Sequence, residues 1–111
     1  MVIGTTLCKG DGNPYHSPSF PRGGLAAVFA AVVTHVFDSP NFTITVEHRN
    51  QEDTGFTTLG DLGTFSATST KMYEASGIKE VVRFKYAFDA EDDPAAGVHF
   101  QVQLPSWRPY P

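Results

Sequence analysis

Apolar and polar side chains alternate without interruption from Phe42 to Glu47. Phe42, Ile44 and Val46 fall on one side, Thr43, Thr45 and Glu47 on the other. Successive strand residues face opposite sides of a sheet, so this pattern predicts a strand with one dry and one wet face. The polar run Asn50-Gln51-Glu52-Asp53-Thr54-Gly55 comes next, then a short second strand over 56–59. Together they predict an antiparallel hairpin. The same two-residue period returns twice. Val82, Phe84, Tyr86 and Phe88 share one face while Arg83 and Lys85 share the other; later, Val98, Phe100, Val102 and Leu104 alternate with His99, Gln101 and Gln103. These stretches predict a second hairpin around the loop that separates them. Residues 62–73 are rich in Thr and Ser and alternate loosely, which predicts one or two short strands.

Residues 25–37, LAAVFAAVVTHVF, read two ways. The alanines and the Leu25/Phe29 spacing suit a helix. Val28, Val32, Val33, Thr34 and Val36 suit a strand buried on both faces, because β-branched side chains fit a pleated surface. No Ser, Thr, Asp or Asn cap precedes the stretch; Gly23-Gly24 does. The turn signal Asp38-Ser39-Pro40-Asn41 leads straight into the strand at Phe42. The expectation is therefore a strand paired with 42–49 as a hairpin, with a helix as the alternative.

The two ends differ from the middle. Residues 1–24 hold five of the ten glycines and three prolines, and the close LPSWRPYP holds Pro105, Pro109 and Pro111. Proline withholds a backbone donor and is excluded from central strands. The organisation expected is an extended N-terminal arm over 1–24, with at most a short strand near Val2 and Ile3, a β-sandwich domain over 25–104 and a C-terminal tail over 105–111. Several short strands with turn punctuation predict an all-β, antiparallel sandwich or barrel.

Composition narrows the picture. A chain of 111 residues with 41% hydrophobic content is one domain. Nine Phe, four Tyr and one Trp favour strands. The single cysteine, Cys8, excludes an internal disulfide and reads as a buried or idle thiol, with pairing between chains as the alternative. No apolar run reaches the roughly 18 residues of a membrane span, and the start MVIGTTLCKGDG lacks a basic segment followed by an apolar one. Cytoplasmic synthesis without a membrane role is the expectation. The net charge of −4 comes from 12 acids and 8 bases, and four of the acids (Asp89, Glu91, Asp92, Asp93) lie in one loop. The bases are scattered, which argues against nucleic acid as a partner.

Candidate chemistry is sparse. His35, His48 and His99 lie on predicted strands, where two could meet across a sheet and hold a metal; with His16, they lack the close paired spacing of a zinc site. The loop Asp89-Ala90-Glu91-Asp92-Asp93-Pro94 lacks the ligand alternation and glycine of a calcium loop. Glu47 with Glu52 or Asp53 does not make two carboxylates facing across a cleft. Cys8 has no nearby histidine, no glycine-flanked nucleophile is present, and Arg22-Gly23-Gly24 precedes a strand rather than a phosphate-binding helix. Asn41-Phe42-Thr43 matches a glycosylation sequon, read as chance without a signal segment. The expectation is a non-enzyme with no cofactor and no metal. Phe20, Pro21, Arg22, Trp107, Arg108 and Tyr110 combine aromatics, arginine and proline, the residue types that anchor interfaces. They are the candidate partner-binding residues, or else the cover of the sandwich's own edge.

Four stretches carry a family likeness: Phe20-Pro21-Arg22-Gly23-Gly24 before an apolar strand; Ile44-Thr45-Val46-Glu47-His48-Arg49-Asn50 with Glu52-Asp53-Thr54; Gly77-Ile78-Lys79-Glu80-Val81-Val82-Arg83-Phe84-Lys85-Tyr86; and Pro105-Ser106-Trp107-Arg108-Pro109-Tyr110. From Phe20 onward the chain resembles the small jelly-roll head-decoration, or cement, proteins of tailed bacteriophages and prophages. That resemblance implies a jelly-roll-like sandwich on the outer capsid surface of a virion. It also implies the major capsid protein as partner, small homo-oligomers with a trimer favoured, and extended termini that bridge capsid subunits. The strand, polar turn and VRF-x-Y strand also look like carbohydrate-binding jelly rolls, for which Trp107, Tyr73 and Phe56 would be the sugar-stacking candidates.

Overall fold

The structure, a computed structural model, describes residues 2–10, 15–37, 41–88 and 93–109, with side chains over 15–36, 41–88 and 97–109. Among the described residues there are ten strands and no helix. They are β1 (Val2–Gly10), β2 (Tyr15–His16), β3 (Phe20–Pro21), β4 (Ala26–Phe37), β5 (Phe42–Arg49), β6 (Thr57–Phe65), β7 (Ser69–Ser76), β8 (Val81–Phe88), β9 (Asp93–Gln103) and β10 (Ser106–Arg108). Every pairing is antiparallel, and two five-stranded sheets pack face to face as a β-sandwich. The all-β sandwich expected from the alternation is the fold, and 25–37 is strand rather than helix.

In the first sheet, β4 is central. It pairs with β7 over Ala26 to Val33, with β10 over Ala26 to Val28, and with β9 over Ala31 to Phe37. Because β7 occupies one edge of β4 throughout 26–33, β10 and β9 follow one another along the other, and β1 lies outside β9. In the second sheet, β8 and β5 are central, β6 lies outside β5, and β2 and β3 follow one another along the free edge of β8. Each sheet is thus four strands wide.

Only one of the three expected hairpins is a hairpin. β5 pairs with β6 as the alternation predicts. β4 and β5, by contrast, lie in different sheets, as do β8 and β9, so neither pair closes a ladder. The arm and tail boundaries change as well. Residues 2–10 form β1, residues 15–16 and 20–21 complete the second sheet, and 106–108 extend the first. β6 is also longer than the predicted 56–59. Register shifts opposite Ile44/Thr45 and Val46/Glu47 insert extra residues, which breaks the two-residue period that sequence reading depends on.

Two groups of rings fill the space between the sheets. Phe42 of β5 meets Phe100 of β9 with centroids 4.9 Å apart, and Phe65, Tyr86 and Phe88 surround it. Phe29 of β4 packs edge-on to Phe84 of β8 at 5.9 Å and to Trp107 at 6.1 Å, and lies alongside Tyr73 at 6.4 Å. β4 is not buried on both faces as expected. Phe29, Ala31 and Val33 are fully buried, while the outward Val28, Ala30 and Val32 are half-buried beside an exposed Met72. The outer face of the second sheet is polar: Thr43 and Thr64 hydroxyls lie 3.0 Å apart, Thr45 donates to Asp61, and Arg83 pairs with Glu47 at 2.8 Å.

His48 is the one buried polar side chain among the described residues, only 7% exposed. Its Nδ1 accepts the backbone N–H of Lys79 at 3.2 Å, which ties β5 to the segment before β8. Burial lowers its pKa, the Lys79 charge lowers it further, and Asp53 opposes them. The unfolded chain therefore takes up a proton at His48 before the folded one does. Stability from this group is intact above the ordinary histidine value of about 6.5 and falls as pH drops through the lower folded value. The expected loss is at most about 1.4 kcal/mol per pH unit. Chemical denaturation across pH measures it; if His48→Gln fell as steeply as wild type over that window, His48 would not be its source.

Candidate functional site

The two terminal segments with interface-type residues meet each other. The Trp107 indole on β10 lies against Gly23, so that a Cβ on Gly23 would sit 2.6 Å from its Cδ1. A Cβ on Gly24 would sit closer still to the Arg108 carbonyl oxygen. Only a residue without Cβ permits such approach, which is why the pair Gly23-Gly24 stands between β3 and β4. Phe20 packs on Phe84 at 5.7 Å, and the line Phe20–Phe84–Phe29–Trp107 runs through the sandwich from one sheet to the other.

Beside this junction an open groove of about 340 Å³ remains. Residues 17–21 form one wall; Leu104, Pro105 and Trp107 form the other. Ser17 holds its wall in place: its hydroxyl accepts the Phe84 N–H at 2.9 Å, its backbone N–H donates to the Phe84 carbonyl, and so the side chain continues a ladder between β2 and β3. Leu104 was expected to point inward with Val98, Phe100 and Val102. It lies just past the end of β9 and is 48% exposed, an apolar side chain at the groove mouth. On the other side of Phe20 and Pro21 a polar recess of about 260 Å³ reaches Arg49 and Gln51.

The six candidate partner-binding residues separate accordingly. Phe20, Pro21 and Trp107 line the groove. Arg22 does not: its Nη1 donates to the Ile78 carbonyl at 2.6 Å and its backbone N–H to the Glu80 carbonyl, so it clamps its own chain. Arg108 reaches across β4 to pair with Glu74 of β7 at 3.2 Å. Tyr110 lies outside the described residues. Sequence reading missed Leu104, Pro105 and residues 17–19. Of these only Leu104 carried a signal, an apolar residue at the last beat of an alternating strand directly before proline.

The other sequence candidates are placed as follows. Glu47 is held by Arg83 and has His16 at 3.7 Å, Asp53 accepts the Asn50 N–H at 2.8 Å, and Glu52 is exposed in the turn, so no two of them face each other across a cleft. Arg49 donates to the carbonyls of Asn50, Gln51 and Asp53, which makes the 49–53 stretch a self-organised turn. The sugar-stacking candidates do not share a platform. Phe56 is covered by the Arg83 guanidinium at 4.0 Å, Tyr73 lies against Phe29 and donates to the Leu59 carbonyl, and Trp107 sits on Gly23. His35 and His99 stand directly opposite each other on β4 and β9. No group of three or more metal-ligating side chains occurs among the described residues. The 89–92 part of the acidic loop and the side chains of Cys8 and Asp93 lie outside the described residues.

No family model, no curated protein and no solved structure matches this chain.

Proposed function

We propose that this protein is a structural binding module, a virion decoration or cement protein that docks on a capsid lattice and performs no covalent chemistry. The observation that carries this reading is the open apolar groove beside Leu104, Phe20, Pro21 and Trp107, formed where the two terminal segments meet. Such a surface accepts apolar side chains of a protein partner; it has no converging polar groups to orient a reacting substrate. The strand arrangement supports the same reading. Two four-wide sheets, with β4 and β5 in different sheets and β8 and β9 likewise, fit the double Greek key of a jelly roll, an architecture used in capsid and lectin domains.

The mechanism proposed differs from ordering of free arms. The terminal segments are already built into the sandwich, so docking presents a preformed groove and loses little conformational freedom. Copies gathered as a homo-oligomer, a trimer by the family likeness, would multiply weak single contacts across a repeating shell. The half-buried Val28, Ala30 and Val32 with the exposed Met72 provide a second apolar surface for such contacts.

The test is co-sedimentation of the purified chain with shells assembled from candidate major capsid proteins of tailed phages. Wild type pellets with the shells. Leu104→Asp removes an exposed anchor, leaves the fold intact, and weakens pelleting by about tenfold or more, corresponding to roughly 1.4 kcal/mol or more. Wild type that stays in the supernatant, or Leu104→Asp that pellets as well as wild type, overturns the reading.

A further inference from the structure

His35 and His99 are 64 residues apart in sequence and directly opposite one another in the β4–β9 ladder. Their alignment depends on an irregularity. Val33 pairs with Phe100, and continuing that register would set Thr34 against His99 and turn His35 inward against Val98. Instead the register shifts by one residue between Val33 and His35. The extra residue, Thr34, is pinned by its hydroxyl, which donates to the His99 carbonyl at 3.1 Å. Beyond the shift, Val36 faces Val98 and packs on the core, while His35 joins His99 on the outer face of the first sheet. A bulge that re-aims a side chain is a recurrent feature beside functional positions.

From this geometry we infer a binding site for a divalent first-row transition metal, chelated by the imidazoles of His35 and His99. Directly opposed residues place their Cβ atoms about 4.5–5.5 Å apart on one face. Two imidazole nitrogens on a tetrahedral Zn²⁺ at about 2.0–2.1 Å stand roughly 3.3 Å from each other, a separation within the reach of two rings on such a pair. Imidazole suits Zn²⁺, Ni²⁺ and Cu²⁺ and disfavours Mg²⁺ and Ca²⁺, which take oxygen ligands. His35 is exposed and His99 half-buried, so the ion is reached from solvent and water completes its coordination. The site is independent of the groove at Leu104, and either can fail without the other.

Calorimetric titration of the full chain with ZnCl₂ and NiCl₂ near neutral pH, alongside NMR of the imidazole signals, tests the inference. The expected result is one ion per chain, with the signals of His35 and His99 moving together while that of the buried His48 stays in place. His35→Ala and His99→Ala each weaken binding by about tenfold or more, because a single imidazole loses the chelate advantage; both positions face solvent, so both variants fold. His16→Ala and Cys8→Ser leave the affinity unchanged, and MgCl₂ gives no heat. Absence of binding at micromolar metal overturns the site. So does an affinity unaffected by either histidine substitution, or one lost on Cys8→Ser.

Discussion

Replacing Phe42 by alanine lowers the free energy of unfolding by about 3–5 kcal/mol, the range for emptying a large aromatic site in a core. Phe42 has no exposed surface, and its ring is the hub of one of the two aromatic groups, with Phe100 at 4.9 Å, Phe88 at 5.2 Å, Tyr86 at 6.3 Å and Phe65 at 6.5 Å. Phe100 belongs to the opposite sheet. Truncation therefore removes one of the two ring contacts that join the sheets at this end, leaving Tyr86–Phe100 at 4.7 Å, and four neighbouring rings cannot collapse into the void together. A domain of this size is stable by about 5–15 kcal/mol, so the loss is a large share of the total. Urea denaturation reads it as a lower midpoint at unchanged slope. Phe56 is the control. Its ring lies half-buried under Arg83 and Arg49, and alanine there costs about 1 kcal/mol of cation–π contact. Equal midpoints for the two variants would show that the sheets are not held together at Phe42.

Gly24→Ala detaches β10 from β4. The new Cβ would run into the carbonyl of Arg108, a backbone atom that cannot swing aside as a long side chain does. The Arg108–Ala26 and Trp107–Ala27 pairings must open, at a cost of about 1–3 kcal/mol. Trp107 is the only tryptophan in the chain, so its emission reports this event alone, shifting to longer wavelength as the indole leaves Gly23 and Phe29 for water. Gly77→Ala provides the contrast. Gly77 has φ of 67° with open space around it, so alanine there costs about 1–2 kcal/mol through the backbone and leaves Trp107 where it is. Emission that is unchanged in Gly24→Ala would mean that β10 accommodates a side chain at this junction.

The candidate site was partly legible. Phe20, Pro21 and Trp107 stood out because proline and aromatics together cannot complete a central strand, and they do line one groove. The same composition pointed with equal force to Arg22 and Arg108, which are spent on the Ile78 carbonyl and on Glu74. Nothing local distinguishes an arginine that awaits a partner from one that clamps its own chain, because the accepting oxygen lies 56 residues away for Arg22. That two of His35, His48 and His99 could meet across a sheet was legible; which two was hidden, since it depends on a single inserted residue and on which strand β4 chooses as neighbour.

By itself, the order of residues determined that the chain is made of strands and which side of most of them is dry. Alternation is a property of one strand and is printed in its own side chains: Phe42, Ile44 and Val46, or Val98, Phe100 and Val102, require no partner to be recognised. Only the tertiary structure decided which strands share a ladder. A hairpin and a change of sheet can both follow an apolar-faced strand and a run of turn-forming residue types, as the true hairpin after Arg49 and the passage from β4 to β5 show. They differ in which backbone N–H and carbonyl groups are satisfied by which distant strand, and that choice is settled by burying both dry faces at once.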